Sequence, residues 1–307
     1  MRIVLLCATR RGYRFLEKLA GLVPGHELFV FSFREESWEP PFLDSIRELT
    51  EAVGGKFFEA KQVGSSRYAE FWETTDIDLL LVVSWRYLLS PEIYQRPRLG
   101  TFVFHDSLLP AYRGFSPTVW AIINGESQTG VTLFNIAAEV DAGDIVDQQS
   151  VPIGSDDTIA QVMEKVTQIY MELLERNLMR LLTGDAPRTP QDHARATYTC
   201  KRVPQDNLID WHSTSDRIYN LIRAVTAPYP GTYTYLGGRK LRVWSASKVD
   251  SQFVGCIPGR VARVLPGMGA VVLTGDGALL LKDMQLNNED IACAAEILDN
   301  LGITLGS

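Results

Sequence analysis

The chain of 307 residues carries 30 Lys and Arg against 37 Asp and Glu, a net charge of −7, with 46% hydrophobic and 22% charged residues. That length fits one large domain or two ordinary ones, two being the better fit, and the composition is that of a globular protein able to bury a substantial core. The negative balance offers no field to attract a phosphate polymer, so nucleic acid is unlikely as a bulk partner.

The N-terminus, MRIVLLCATRRGYRF, has too few apolar residues before Arg10 and Arg11 for a signal segment or a membrane span, and reads as the first strand of a cytoplasmic protein. Helical spacing follows at Tyr13, Leu16 and Leu19. Glu27 to Phe33 reads as a second strand, Phe42 to Val53 as a helix, and Asp78 to Val83 as a strand apolar on both faces. Gly100 to His105 and Gly130 to Ile136 continue the strands, and Ala160 to Leu182 carries a long apolar stripe ending near Gly184. Strands apolar on both faces suit a mostly parallel, Rossmann-like α/β sheet covered by helices on each side.

A Pro-rich polar connection follows Gly184, and Tyr229 to Val249 alternates around Gly237 and Gly238 as a hairpin. Short strands at Gly259 to Leu265, Ala270 to Thr274 and Ala278 to Leu281 suggest a smaller β-rich, OB-like domain. The expected organisation is therefore an α/β domain over 1–184, a linker over 185–204 and a β-rich domain over 205–307. Cys7, Cys200, Cys256 and Cys293 form no CxxC pair and read as reduced packing residues.

His105 ends a strand, and the carboxyl ends of strands are where ligands sit in an open α/β sheet. Asp141, 36 residues on, also lies just beyond a strand. A carboxylate beside an imidazole fixes its tautomer and favours its charged form, which suits a general base. With no GxSxG elbow and with Ser107 too close to His105 to be an independent nucleophile, proton transfer is the simpler chemistry. His26 and His193 lie in polar turns without evident role, and His212 reads as structural.

HDSLLPAYRG, the NGE of Asn124 to Glu126, TGVTL at Thr129 to Leu133 and DAGDIV at Asp141 to Val146 resemble the signature of the 10-formyltetrahydrofolate-dependent formyltransferases. LVVSWRYLLSPEIYQRPRLG is similar to the family's pterin segment. The stretch from TCKRVPQDN to LRVWSA resembles the linker and C-terminal domain shared by methionyl-tRNA formyltransferase and a sugar-nucleotide formyltransferase. The resemblance implies an enzyme with 10-formyltetrahydrofolate as formyl donor and no metal, with Ser84, Trp85, Arg86, Tyr87, Leu109, Ala138 and Asp141 at the folate. His105 would be the base and Asp141 its partner.

Arg10 and Arg11 are placed to meet a phosphate or carboxylate, or else are solvated surface; Tyr13 stacks on a base or packs in the core. Ser107 and Arg113 in the loop after His105 count as substrate-facing, Arg113 also shaping that loop with Gly114.

The family's triad is Asn, His and Asp, and the place of its Asn, two residues before the histidine, is here Val103. Losing one oxyanion donor costs about 3 kcal/mol. Either another donor replaces it (a backbone N–H of the 106–110 loop, a water or Asn124), or the site runs a related acyl transfer, or the chain is a sensor of folate or sugar nucleotide without turnover. From Asp206 to Ser307 nine Lys or Arg face ten Asp or Glu, which disfavours a tRNA acceptor and so methionyl-tRNA formyltransferase, and favours an amino sugar, nucleotide-linked or a late intermediate. A homodimer is compatible with the resemblance.

Overall fold

The computed structural model describes Met1–Gly306. The chain forms two compact units, the first from residues 1–117, 129–151 and 164–199 and the second from 118–128, 152–163 and 200 onward.

In the first unit the strands are β1 (Arg2–Cys7), β2 (Glu27–Ser32), β3 (Lys56–Glu59), β4 (Leu79–Val83), β5 (Thr101–His105), β6 (Arg113–Gly114), β7 (Gln128–Asn135), β8 (Ile145–Pro152) and β9 (Tyr198–Thr199). Its helices are α1 (Thr9–Leu22), α2 (Leu43–Ala52), α3 (Ala69–Thr74), α4 (Pro91–Tyr94) and most of α6 (Ile159–Thr183); α5 (Pro117–Ile123) lies mainly in the second unit. Seven strands make one sheet in the order β3-β2-β1-β4-β5-β7-β8. The pairs among β3, β2, β1, β4 and β5 are parallel, and β7 runs antiparallel to β5. This is the expected mostly parallel α/β sheet. The chain leaves β1 toward β2 and β3, then returns to place β4 on the other side, so a crevice opens at the carboxyl ends of these strands.

Every residue of β4 is buried, as is all of β1 after Arg2, because both faces of these strands are covered. β5 sorts its side chains by alternation. Phe104 meets Phe15 of α1 (ring centroids 4.9 Å apart) and Tyr170 of α6 (5.4 Å). Val103 points the other way, against the cluster of Val4, Leu6, Phe29, Phe31, Leu80 and Val82. His105, two residues on, shares the face of Val103. β3 escapes the sequence reading because an edge strand reading Lys-Phe-Phe-Glu, with half-exposed rings, carries no alternation.

The second unit contains α7 (Ser215–Val225), α8 (Ala294–Ile297) and strands β10 (Thr232–Leu236), β11 (Arg239–Val243), β12 (Ala246–Lys248), β13 (Val261–Leu265), β14 (Gly269–Leu273), β15 (Ala278–Leu281), β16 (Asp283–Leu286) and β17 (Ala292–Cys293). These form two four-stranded sheets, β10-β11-β16-β17 and β12-β15-β14-β13, which is the β-rich region expected. The β10–β11 hairpin turns at Gly237 and Gly238, both at positive φ (53° and 75°), as a two-residue turn matched to strand twist requires. Its core gathers Trp211, Ile218, Ile222, Leu241, Val243, Val272, Leu279 and Met284.

Candidate active site

His105 is the last residue of β5, paired with Thr132 of β7, and is 9% exposed. Its Nε2 lies 2.9 Å from the carbonyl oxygen of Tyr112. A carbonyl only accepts, so this nitrogen carries the proton and the neutral ring keeps its lone pair on Nδ1. Nδ1 lies 3.7 Å from Asp141 Oδ2, an ion-pair distance that is too long for a hydrogen bond. The tautomer is therefore set by Tyr112, and Asp141 faces the nitrogen that accepts a proton. A carboxylate so placed stabilises the imidazolium once it forms.

Asp141 is held from several sides. Its Oδ2 accepts the Gly114 N–H at 2.8 Å, and its backbone is left-handed (φ 52°). Gln191 Nε2 donates to the carbonyls of Asp141 (2.9 Å) and Gly143 (2.7 Å), while its Oε1 accepts from Arg113 Nε (3.2 Å) and Nη2 (2.6 Å). Arg113 is 1% exposed, with Nη2 also 3.1 Å from His193 Nδ1 and Nη1 3.3 Å from the Tyr198 hydroxyl. β6 and β9 pair beside them, binding the 184–199 stretch to this loop. The DAGD sequence is also sterically required: a Cβ on Gly143 would sit 1.7 Å from the Asn135 carbonyl oxygen.

The loop after His105 is bonded internally. Thr132 Oγ1 donates to Ser107 O (2.6 Å) and accepts from Leu109 N (3.1 Å) and Gln148 Nε2 (2.7 Å), which also reaches Leu109 O (2.9 Å). Asp106 is buried between Arg11 Nη1 (2.8 and 2.7 Å to its two oxygens) and the Tyr170 hydroxyl. Burial pushes the Asp106 carboxyl up, but the charge of Arg11 and the bonds from Tyr170 and Arg11 outweigh it and hold it below the usual carboxylate range. Burial, and then Asp106, push the Tyr170 hydroxyl well up.

Three residues expected to face substrate turn inward. Arg11 is 7% exposed, bonded to Asp106 and to Thr167 Oγ1 (3.2 Å), with its guanidinium 4.6 Å over the Tyr170 ring. Ser107 is 1% exposed and donates to Ala111 O at 2.7 Å, and Arg113 is the clamp just described. The physical reason is common to all three: a buried polar group needs partners, and each finds them in protein. Arg10 stays outside, 3.4 Å from Glu164, and Tyr13 is half-buried with its ring 6.1 Å from Phe42.

Past β4, Ser84 takes a left-handed φ of 53°. The Trp85 and Tyr87 rings pack on Phe33 at 5.2 and 5.1 Å, and Arg86 pairs with Glu39 through both arms, one at 2.7 Å. The acidic 34–42 loop is thereby joined to the 84–87 segment. Leu109 is 3% exposed, whereas Ala138 lines a cleft of about 400 Å³ with Gly100, Asn135 and Arg188 at the amino end of β5, among whose lining residues neither His105 nor Asp141 is found. Asn124 belongs to the second unit, where its Oδ1 accepts from Arg217.

Sequence reasoning missed Gln191, Thr132, Gln148, Asp106 and Tyr170, and gave His193 no role. The adjacency of Asp106 to His105 was the one local signal; the rest meet across long stretches of chain. Among the described residues no group of three His, Cys, Asp or Glu is placed to hold a metal ion, and no helix is long and apolar enough to cross a membrane.

Residues 28–178 match the formyl transferase family and residues 201–301 the formyl transferase C-terminal domain. Among solved structures, the chain resembles an N-formyltransferase from Helicobacter canadensis in complex with folinic acid and dTDP-3-aminofucose (18% identity, 91% of this chain and 97% of that one, TM-score 0.68). It also resembles HypX from Aquifex aeolicus in complex with tetrahydrofolic acid (20% identity, TM-score 0.63), covering 97% of this chain but only about half (47%) of HypX. A third is methionyl-tRNA formyltransferase from Clostridium thermocellum (19% identity, 83% of this chain and 96% of that one, TM-score 0.55). At these identities the structures share the fold, and the two family matches, spanning catalytic and C-terminal regions alike, carry the assignment: the chain belongs to the formyltransferase family of formyl-transferring enzymes.

Proposed function

We propose that this protein moves the formyl group of 10-formyltetrahydrofolate, bound as a substrate, to the amine of an amino sugar, nucleotide-linked or a late intermediate. The observation that carries the reading is His105 Nδ1 facing Asp141 at 3.7 Å while Tyr112 occupies Nε2. The amine nitrogen attacks the formyl carbon, forming the new C–N bond; Nδ1 takes the amine proton, and Asp141 stabilises the resulting imidazolium. The bond from the formyl carbon to the folate nitrogen then breaks, and His105 returns the proton to that leaving nitrogen. No covalent enzyme intermediate is required.

For the folate, the half-buried rings of Trp85 and Tyr87, braced on buried Phe33, suit a flat heteroaromatic ring. That the Helicobacter canadensis protein is seen with folinic acid and dTDP-3-aminofucose supports both substrate classes. Among the residues first weighed for the acceptor, Arg10 and Tyr13 retain exposed surface.

The test is to incubate the protein with 10-formyltetrahydrofolate and a panel of amino sugars, following tetrahydrofolate release by absorbance and the N-formyl product by mass. Formyl transfer to an amino sugar is the expected result. Folate binding with no transfer to any amine would overturn it in favour of a sensor, the rival that Val103 keeps open.

A further inference from the structure

A histidine works as a base only from the nitrogen that holds its lone pair, so catalysis from Nδ1 requires the ring proton to stay on Nε2. The group that keeps it there is the carbonyl of Tyr112, 2.9 Å from His105 Nε2. Tyr112 is itself left-handed, at φ 59°, a conformation that a residue with a Cβ keeps only when its surroundings hold it. The bonds inside the preceding loop, from Leu109 to Thr132, from Thr132 to Ser107 and from Ser107 to Ala111, do not reach the peptide that joins Tyr112 to Arg113.

One residue of the 184–199 stretch does reach it. Thr197 Oγ1 accepts the Tyr112 N–H at 2.8 Å, and Thr197 O accepts the Arg113 N–H at 2.9 Å. The two successive N–H groups around Tyr112 thus converge on the two oxygens of a single threonine, whose own N–H donates to Pro110 O at 3.3 Å. The peptide between Tyr112 and Arg113 is bonded at both ends, its N–H to Thr197 and its carbonyl to His105. A trans peptide is planar and points those two groups in opposite directions, so fixing one end aims the other.

We propose that Thr197 is a positioning residue: by taking both N–H groups around Tyr112 it turns the Tyr112 carbonyl onto His105 Nε2, and so keeps the lone pair of the base on Nδ1. Its effect on rate rests on the formyl-transfer reading above. Six residues earlier, Gln191 holds the backbone of Asp141, so one stretch of chain fixes both the acceptor at Nε2 and the carboxylate facing Nδ1. Threonine suits the place because its hydroxyl adds a second acceptor to its carbonyl; valine has nearly the same shape and lacks it. Without the hydroxyl, Tyr112 loses one of the two bonds that hold its left-handed turn. Its carbonyl then swings away from Nε2, and the ring proton is free to move to Nδ1, where it blocks the base.

Two measurements on the full chain test this. The first needs no substrate: ¹⁵N-labelled histidine rings are observed at a pH where they are neutral, His105 being identified by its loss in His105→Asn. The parent is expected to show a protonated Nε2 and an unprotonated Nδ1, Thr197→Val a mixture of the two tautomers, and Thr197→Ser the parent pattern. The second compares kinetics: Thr197→Val lowers kcat about tenfold, the worth of one hydrogen bond, while KM for the folate stays within about threefold, and Thr197→Ser restores kcat to within about twofold. Should Thr197→Val fold poorly, Thr197→Ala removes the same hydroxyl without the second methyl. A parent ring protonated on Nδ1, a tautomer unchanged in the folded variant, or a loss of kcat that Thr197→Ser fails to restore overturns the role of Thr197 and leaves the formyl-transfer reading standing. A parent that transfers formyl to no amine, with the tautomer still shifted in Thr197→Val, overturns that reading and leaves the placement of the ring by Thr197 standing.

Discussion

Asp141→Asn isolates the carboxylate charge from the fold. The Asn side-chain oxygen still accepts the Gly114 N–H that Asp141 Oδ2 takes at 2.8 Å, and the backbone bonds from Gln191 are unchanged. What is lost is the attraction between a carboxylate and the imidazolium that forms when His105 Nδ1 takes the amine proton 3.7 Å away. Two unit charges at that separation, in an effective dielectric of about 20, attract by about 4 kcal/mol. Since the proton is part-way across in the transition state, about half of this survives as barrier, ~2–3 kcal/mol, or a factor of roughly 30 to 150 in kcat. The assay is formyl transfer at saturating folate, with the melting temperature as control for folding. A folded Asp141→Asn variant with kcat within threefold of the parent would refute the assignment of Asp141 as the stabiliser of His105.

Gln191→Ala removes two bonds that hold the Asp141 loop and leaves two Arg113 donors without their acceptor, so a loss of about 3 kcal/mol is expected; thermal unfolding and kcat should fall together, with Gln191→Glu failing to restore either because it cannot donate to the carbonyls. Asp106→Asn leaves Arg11 buried without its counter-charge and should cost about 3–5 kcal/mol by denaturant unfolding. Because the folded Asp106 carboxyl lies below its ordinary range, its contribution is fully present above about pH 4 and is lost as pH falls through the lower folded value, so the paired variant Arg11→Met with Asp106→Asn should show a flatter acid limb. Gly143→Ala places a methyl 1.7 Å from a backbone oxygen and should yield little folded protein, read as soluble yield and circular dichroism.

The strands and long helices were legible because their burial repeats: β1 and β4 are apolar runs, α6 carries a stripe, and the paired glycines of the β10–β11 turn announce a hairpin. The approach of His105 and Asp141 was legible as well, one closing a strand and the other in the loop beyond a strand, both inside a recognisable motif. The directions of the polar side chains were not. Arg11, Ser107 and Arg113 look alike in sequence whether they meet solvent, ligand or protein, since a hydrogen-bonding group takes whatever partner the fold delivers. Gln191 stands 50 residues from Asp141, and Asp106 stands 95 from Arg11, so no local pattern records either contact. Apolar periodicity is a property of neighbouring residues and is written in the chain; the pairing of a buried donor with its acceptor is a property of position in space, and it was decided only when the sheet brought those loops together.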